Sequence, residues 1–137
     1  MAKVFIDSNI LVYTADGHEK SKQKKARAVI KDAQAHETPV LSTQVLQEFY
    51  SALTSKLKID KLAAKALLHN FTKMETVQIN IDIIEQAVDI SILAQISFWD
   101  ALIIASAEYA KCALILSEDL NDGQIIRGVR IVNPLKR

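Results

Sequence analysis

The 137-residue sequence has one cysteine, two prolines and three glycines. The lone Cys112 excludes an intrachain disulfide framework and any multi-cysteine metal site, which points to a reducing compartment and a structural thiol. Gly17, Gly123 and Gly128 build neither a P-loop nor a dinucleotide-binding fingerprint, so ATP, GTP and NAD are not expected ligands. No uninterrupted apolar run approaches the roughly 18 residues of a membrane helix, and no membrane association is expected. The start, MAKVFIDSN, is broken by Asp7 and is too short and polar for a signal peptide, so the expected location is cytoplasmic. His18, His36 and His69 lack the paired spacing of a zinc site or of a Ser–His or Cys–His system, and are expected at the surface. The net charge of +1 decides nothing about nucleic acid, because a local basic patch can coexist with a balanced total.

What remains is a compact, half-hydrophobic chain with the size of one domain spanning 1–137. There is no internal repeat and no Ser/Gly/Pro linker. Short runs rich in β-branched residues, at 4–6, 39–42, 76–80, 114–117 and 129–132, predict strands. Between them, 20–35, 43–57, 60–72, 81–95 and 99–111 carry helical periodicity. In 81–95 the apolar face is read as Ile84, Ala87, Val88, Ser91 and Ile92. Strands alternating with helices imply βαβ units, hence an α/β three-layer α/β/α sandwich with a mainly parallel central sheet. The stretch EKSKQKKAR at 19–27 reads first as a solvated helix face and second as a nucleic-acid contact.

The acids fall where such a fold has its crevice, at the carboxyl ends of the strands. VFI ends in Asp7, followed by Ser8 and Asn9; LILS ends in Glu118 and Asp119, with Asp122 three residues on. Asp100 opens SFWDALIIASA, a helix so apolar that it belongs inside the protein, and Glu48 sits early in the helix after PVLS. Each has a structural alternative. Ser97-x-x-Asp100 matches a helix N-terminal capping pattern; Asp7 and Asn9 suit a strand-to-helix turn; Glu48 suits a rim position; Asp119 and Asp122 suit a polar loop or cap. Trp99 and Phe98 suit core, dimer contact or pocket wall, and read first as core.

Together the acids pose an electrostatic problem. Carboxylates converging on one end of a sheet raise one another's pKa, and no Lys or Arg lies within three residues of Asp7 or near Asp100. A desolvated carboxylate needs compensation, and an oxygen-rich, nitrogen- and sulfur-poor set suits a hard divalent cation such as Mg²⁺ or Mn²⁺. Such an ion serves metal-dependent phosphodiester hydrolysis. A phospho-acceptor receiver domain fits less well, because the first strand ends in Asp-Ser-Asn rather than an adjacent acidic pair.

The ordered set FIDSNILVY, STQVLQEFY, SFWDALIIASAE and LILSEDLNDG resembles the PIN-domain ribonucleases, most closely the VapC-type toxins of bacterial and archaeal toxin–antitoxin pairs. The resemblance runs the length of the chain and implies a PIN fold. It also implies a Mg²⁺- or Mn²⁺-dependent endoribonuclease whose acidic pocket is Asp7, Glu48, Asp100 and Asp119. Asp7 and Asp100 are then the firmest ligands, Asp122 and Glu118 further candidates, and Asn9 and Ser117 supporting polar residues. It implies a homodimer and a small antitoxin that covers the active site. RNA would meet Lys20 to Arg27, Arg127, Arg130, Lys136 and Arg137. A non-catalytic RNA- or protein-binding PIN module is the competing expectation.

Overall fold

The computed structural model describes residues 2–136. Six strands form one sheet: β1 (Lys3–Ile6), β2 (Thr38–Ser42), β3 (Glu75–Val77), β4 (Leu114–Leu116), β5 (Ile125–Ile126) and β6 (Val129–Val132). Six helices accompany them: α1 (Ser8–Ala15), α2 (Lys20–His36), α3 (Thr43–Ser55), α4 (Lys61–Phe71), α5 (Ile81–Ala94) and α6 (Phe98–Tyr109). The order across the sheet is β3-β2-β1-β4-β6-β5, parallel throughout except for β5. In β1, Val4, Phe5 and Ile6 are successive and all buried. Because neighbouring side chains on a strand point to opposite faces, both faces of the sheet are covered, as an all-parallel core requires. Helix α1 packs between α2 and α3, and α4 packs on α3, while α5 and α6 form a separate pair whose α6 lies on β2, β4 and β6. The expected α/β/α sandwich is the observed one. No single helix among the described residues is long and apolar enough to cross a membrane.

Three local differences from the sequence expectation have physical causes. Residues 8–15, to which the sequence reading assigns no element, form α1 after the strand-to-helix turn that Asp7 and Asn9 suit, because Asp7 takes the N-cap and its carboxylate accepts the Ser8 N–H. Strand β6 lies where 129–132 predicts it, but its hairpin partner β5 has no counterpart in the sequence reading because it is only two residues long. The hairpin loop is Arg127-Gly128, both at positive φ (54° and 77°), the geometry of a two-residue turn in which glycine is favoured. In α5 the inward stripe is Ile83, Ala87 and Ile90, one position away from the expected face; Ile84, Val88 and Ile92 stand exposed. Apolar residues surround so much of this helix that periodicity alone admits either stripe.

Helix α6 behaves as its composition demands. Every residue from Ala101 to Ala107 is buried, so the helix is a core rod that fixes where its first turn points. Ser97 caps it, accepting the Asp100 N–H at 3.1 Å, a contact whose loss typically costs about 1 kcal/mol.

Candidate active site

The sheet topology decides which acids meet. From β1 the chain turns to β2 on one side, while β4 pairs with β1 on the other, so the carboxyl ends of β1 and β4 flank a switch point, where ligands bind in open α/β sheets. Ile6 is in register with Leu116. The next residue on each strand is therefore Asp7 beside Ser117, and the Ser117 hydroxyl donates to Asp7 Oδ2 at 2.8 Å. The Asp7 N–H continues the ladder to the Leu116 carbonyl at 3.0 Å.

A small polar lattice grows from this pair. Asn9 Nδ2 donates to Asp7 Oδ2 at 3.2 Å, to Ser117 Oγ at 3.3 Å and to Asp119 Oδ2 at 3.3 Å. Its Oδ1 accepts the Glu118 N–H at 3.0 Å, so one side chain ties α1 to the loop after β4. Ser117 Oγ also accepts the backbone N–H groups of Asp119 and Leu120. The Ser8 hydroxyl donates to Glu48 Oε1 at 3.0 Å, bringing the α3 acid to the same edge. Asp100 shares a cavity of about 80 Å³ with Asp119, Leu120 and Asn121. Among the described residues its carboxylate accepts no hydrogen bond.

The buried acid is Asp7, not Asp100. Asp7 is only 6% exposed, and that burial, with smaller contributions from the Glu48 and Asp119 carboxylates, pushes its carboxyl up to about 6. The Ser117 hydroxyl and Ser8 N–H pull in the other direction without prevailing. The desolvation problem that the apolar sequence after Asp100 suggests thus belongs to the neighbouring strand end; Asp100 itself is half-buried.

Two loop acids leave the cluster. Asp122 accepts the Asn133 N–H at 2.8 Å and pairs with Lys136 at 3.5 Å, and these contacts hold its carboxyl below the ordinary value. Its carboxylate is engaged by the C-terminal segment rather than by the other acids. Glu118 accepts the Tyr13 hydroxyl at 2.6 Å and pairs with Lys22 at 2.8 Å. Partial burial would raise its carboxyl, but the Lys22 and Tyr13 contacts outweigh it and the net shift is downward. The basic stretch is largely spoken for: besides Lys22, Lys25 Nζ donates to the Leu135 carbonyl and Arg27 Nε to the Thr14 carbonyl. Arg127 is likewise paired, to Glu108 and Gln86. Arg137 lies outside the described residues.

Among the described residues, no three His, Cys, Asp or Glu side chains lie close enough together to hold a metal ion as they stand. The carboxylates are instead gathered pairwise through Ser8 and Asn9. The donor set still suits a hard cation, since it is all oxygen and Asp7 has carboxylates rather than cations for charged neighbours.

The sequence model of the PIN domain family matches residues 4–123. This chain belongs to the PIN domain family. Solved structures with the same fold include a toxin–antitoxin complex from Klebsiella pneumoniae, 20% identical, with a TM-score of 0.70 over 96% of this chain and 97% of that one. VapC20 of Mycobacterium tuberculosis, described as a sarcin–ricin loop cleaving toxin, is 19% identical, with a TM-score of 0.61 over 85% and 89%. DNA-bound VapBC from Salmonella typhimurium is also 19% identical, with a TM-score of 0.68 over 96% and 97%. No curated protein sequence matches the chain.

Tyr13 and Gln44 have no place in the sequence reading, and Lys22, expected on a basic helix face, pairs with an acid instead. Tyr13 and Lys22 meet Glu118 only because α1 and α2 pack together, and Lys22 also lies 4.9 Å from the Tyr13 ring centroid. Gln44, buried at the start of α3, donates to Glu48 Oε2 at 3.4 Å and to the Trp99 carbonyl at 3.2 Å. A glutamine four residues before a glutamate is too common a pattern to signal this. Trp99 itself corrects the expectation of a core aromatic, for it is 63% exposed, while Phe98 is half-buried.

Proposed function

We propose that this PIN domain is a cytoplasmic, Mg²⁺- or Mn²⁺-dependent endoribonuclease of VapC type, the toxin of a toxin–antitoxin pair. The observation that carries the proposal is the burial of Asp7 at the β1–β4 switch point, with Glu48 and Asp119 as its charged neighbours and no cation among them. A fold does not retain a desolvated, mutually repelling acid set for stability, and functional sites are where such groups concentrate. The supporting context is family membership and the toxin–antitoxin structures that share the fold.

In this reading Asp7 and Asp100 are the firmest ligands, with Glu48 and Asp119 ligating directly or through water. Asp7, Asp100, Glu48 and Asp119 would hold a divalent ion, which would supply charge neutralisation at a phosphate and a more acidic water. The protein's own groups set the stage. Ser117, Asn9 and the Ser8 N–H fix both oxygens of Asp7, Ser8 and Gln44 hold Glu48, and the buried α6 carries Asp100 to the rim without a hydrogen bond to release. RNA is the substrate and a small antitoxin covering the acids is the inhibitor. The chain forms a homodimer, a reading supported by the exposed apolar row Ile81, Ile84, Val88 and Ile92 on α5.

The test is cleavage of total RNA by the purified chain with Mn²⁺ and with EDTA, alongside Asp100→Asn. Metal-dependent cleavage by wild type and none by a folded Asp100→Asn is the expected result. Equal activity in the variant, or no cleavage with Mn²⁺, refutes the enzyme and favours a non-catalytic binding module.

A further inference from the structure

Large aromatic side chains are usually covered, because each carries some 150–250 Å² of surface. Among the described residues only two aromatics of this chain are exposed, Trp99 at 63% and Tyr109 at 56%. They sit at opposite ends of α6, ten residues and therefore about 15 Å apart along the helix. Trp99 is at the acidic end, immediately before Asp100.

Trp99 is also held, its ring by Phe98 and its backbone by Gln44. Its ring meets Phe98 edge-to-face, with centroids 5.1 Å apart and planes at 77°. Its carbonyl accepts Gln44 Nε2, and the same nitrogen reaches Glu48. Trp99 is thus tethered on one side to the α3 acid and joined on the other to Asp100. Among the described residues the indole N–H has no hydrogen-bond partner. Trp99 does not line the cavity that Asp100 shares with Asp119, but its exposed ring stands at the same end of α6 as Asp100, at the border of that cavity rather than within it. We propose that Trp99 is a substrate-binding residue on which a base of single-stranded RNA, next to the phosphate at the acids, stacks.

The substrate class rests on the ribonuclease reading above; the ring's position does not. Stacking on an aromatic is tolerant of base identity, since every base has a π face. Trp99 therefore contributes grip and register near the scissile position rather than sequence choice. Nothing in the step is covalent, and its loss weakens binding of the substrate without removing a reacting group.

Trp99 is the only tryptophan in the sequence, so its fluorescence reports on this site alone. The experiment titrates the full chain with an unstructured ten-nucleotide RNA, in EDTA and in Mg²⁺, against an abasic oligomer of equal length and charge. A saturable quench by RNA in either condition and none by the abasic oligomer is expected. In cleavage assays Trp99→Ala raises KM about tenfold, within the range for losing one stacked base, with the loss falling on KM rather than kcat, and Trp99→Phe recovers most of it. An emission insensitive to RNA overturns the proposal. So does an emission that follows protein concentration instead, which marks Trp99 as a contact between protein chains. A Trp99→Ala defect confined to kcat overturns it too, because the residue then only positions Asp100. Quenching by RNA without cleavage by wild type would refute the ribonuclease reading and leave stacking intact; cleavage with a silent Trp99 would do the reverse.

Discussion

Replacing Asp7 with asparagine should stabilise the metal-free protein at neutral pH while destroying its site. The folded-state carboxyl is pushed up to about 6 from an ordinary value of 3.8. A group raised in this way contributes stability that is complete below pH 3.8 and is lost as the pH rises through about 6. A shift of about 2 units at roughly 1.4 kcal/mol each makes the ionised Asp7 cost the native state about 3 kcal/mol. Asparagine never ionises, so Asp7→Asn removes that slope. It also points an amide NH₂ at groups that now donate to Asp7 Oδ2, the Ser117 hydroxyl and Asn9 Nδ2. One mispaired buried donor costs about 1–2 kcal/mol at any pH.

The two effects separate by pH. At pH 4 Asp7→Asn should be the less stable protein, and at pH 8 it should equal or exceed wild type, with a relative change of about 2–3 kcal/mol between the two. Urea unfolding in EDTA at a series of pH values measures this, because titrations not coupled to Asp7 are common to both proteins and cancel in the difference. A stability gap that does not change between pH 4 and pH 8 would refute the burial argument. Saturating Mn²⁺ supplies a second arm: it should raise the Tm of wild type and leave Asp7→Asn unmoved.

Asp122→Ala should keep RNA cleavage within about twofold of wild type and slightly lower Tm, because its carboxylate serves Asn133 and Lys136 rather than the acids; a loss as complete as that of Asp100→Asn would return it to the ligand set. Lys22→Met should let the Glu118 carboxyl, now held below its ordinary 4.5, titrate at a higher pH in carbon-detected NMR, and an unmoved titration would show that the ion pair does not form in solution. Burial pushes the Cys112 thiol up to about 12 from 9.0, so at pH 8 the folded protein should react with a disulfide reagent about a thousandfold more slowly than the urea-unfolded chain. Comparable rates would place the thiol outside the core.

The fold was legible wherever one signal dominated. Successive buried residues in β1, β2 and β4 appear as unbroken apolar runs, and α6, apolar from Ala101 to Ala107, has no face on which to meet water. It was illegible where two readings shared a pattern: α5 is apolar on adjacent faces, so its inward stripe was set by packing against α6, its principal neighbour. The acids followed the same division. Strand-end placement brought Asp7 and Asp119 to one edge from sequence alone, but burial depends on what flanks a strand, and flanking is topology. Asp7 ends a strand enclosed by β2 and β4, with a helix starting at the next residue, so water cannot reach it from the sides. Asp100 begins a helix at the rim, where the apolar residues that made it look desolvated all lie deeper along the axis. Sequence therefore placed Asp7 and Asp119 at one sheet edge, where Asn9 joins them, and assigned the electrostatic cost to Asp100 rather than Asp7, because neighbours along the chain were used to stand for neighbours in space.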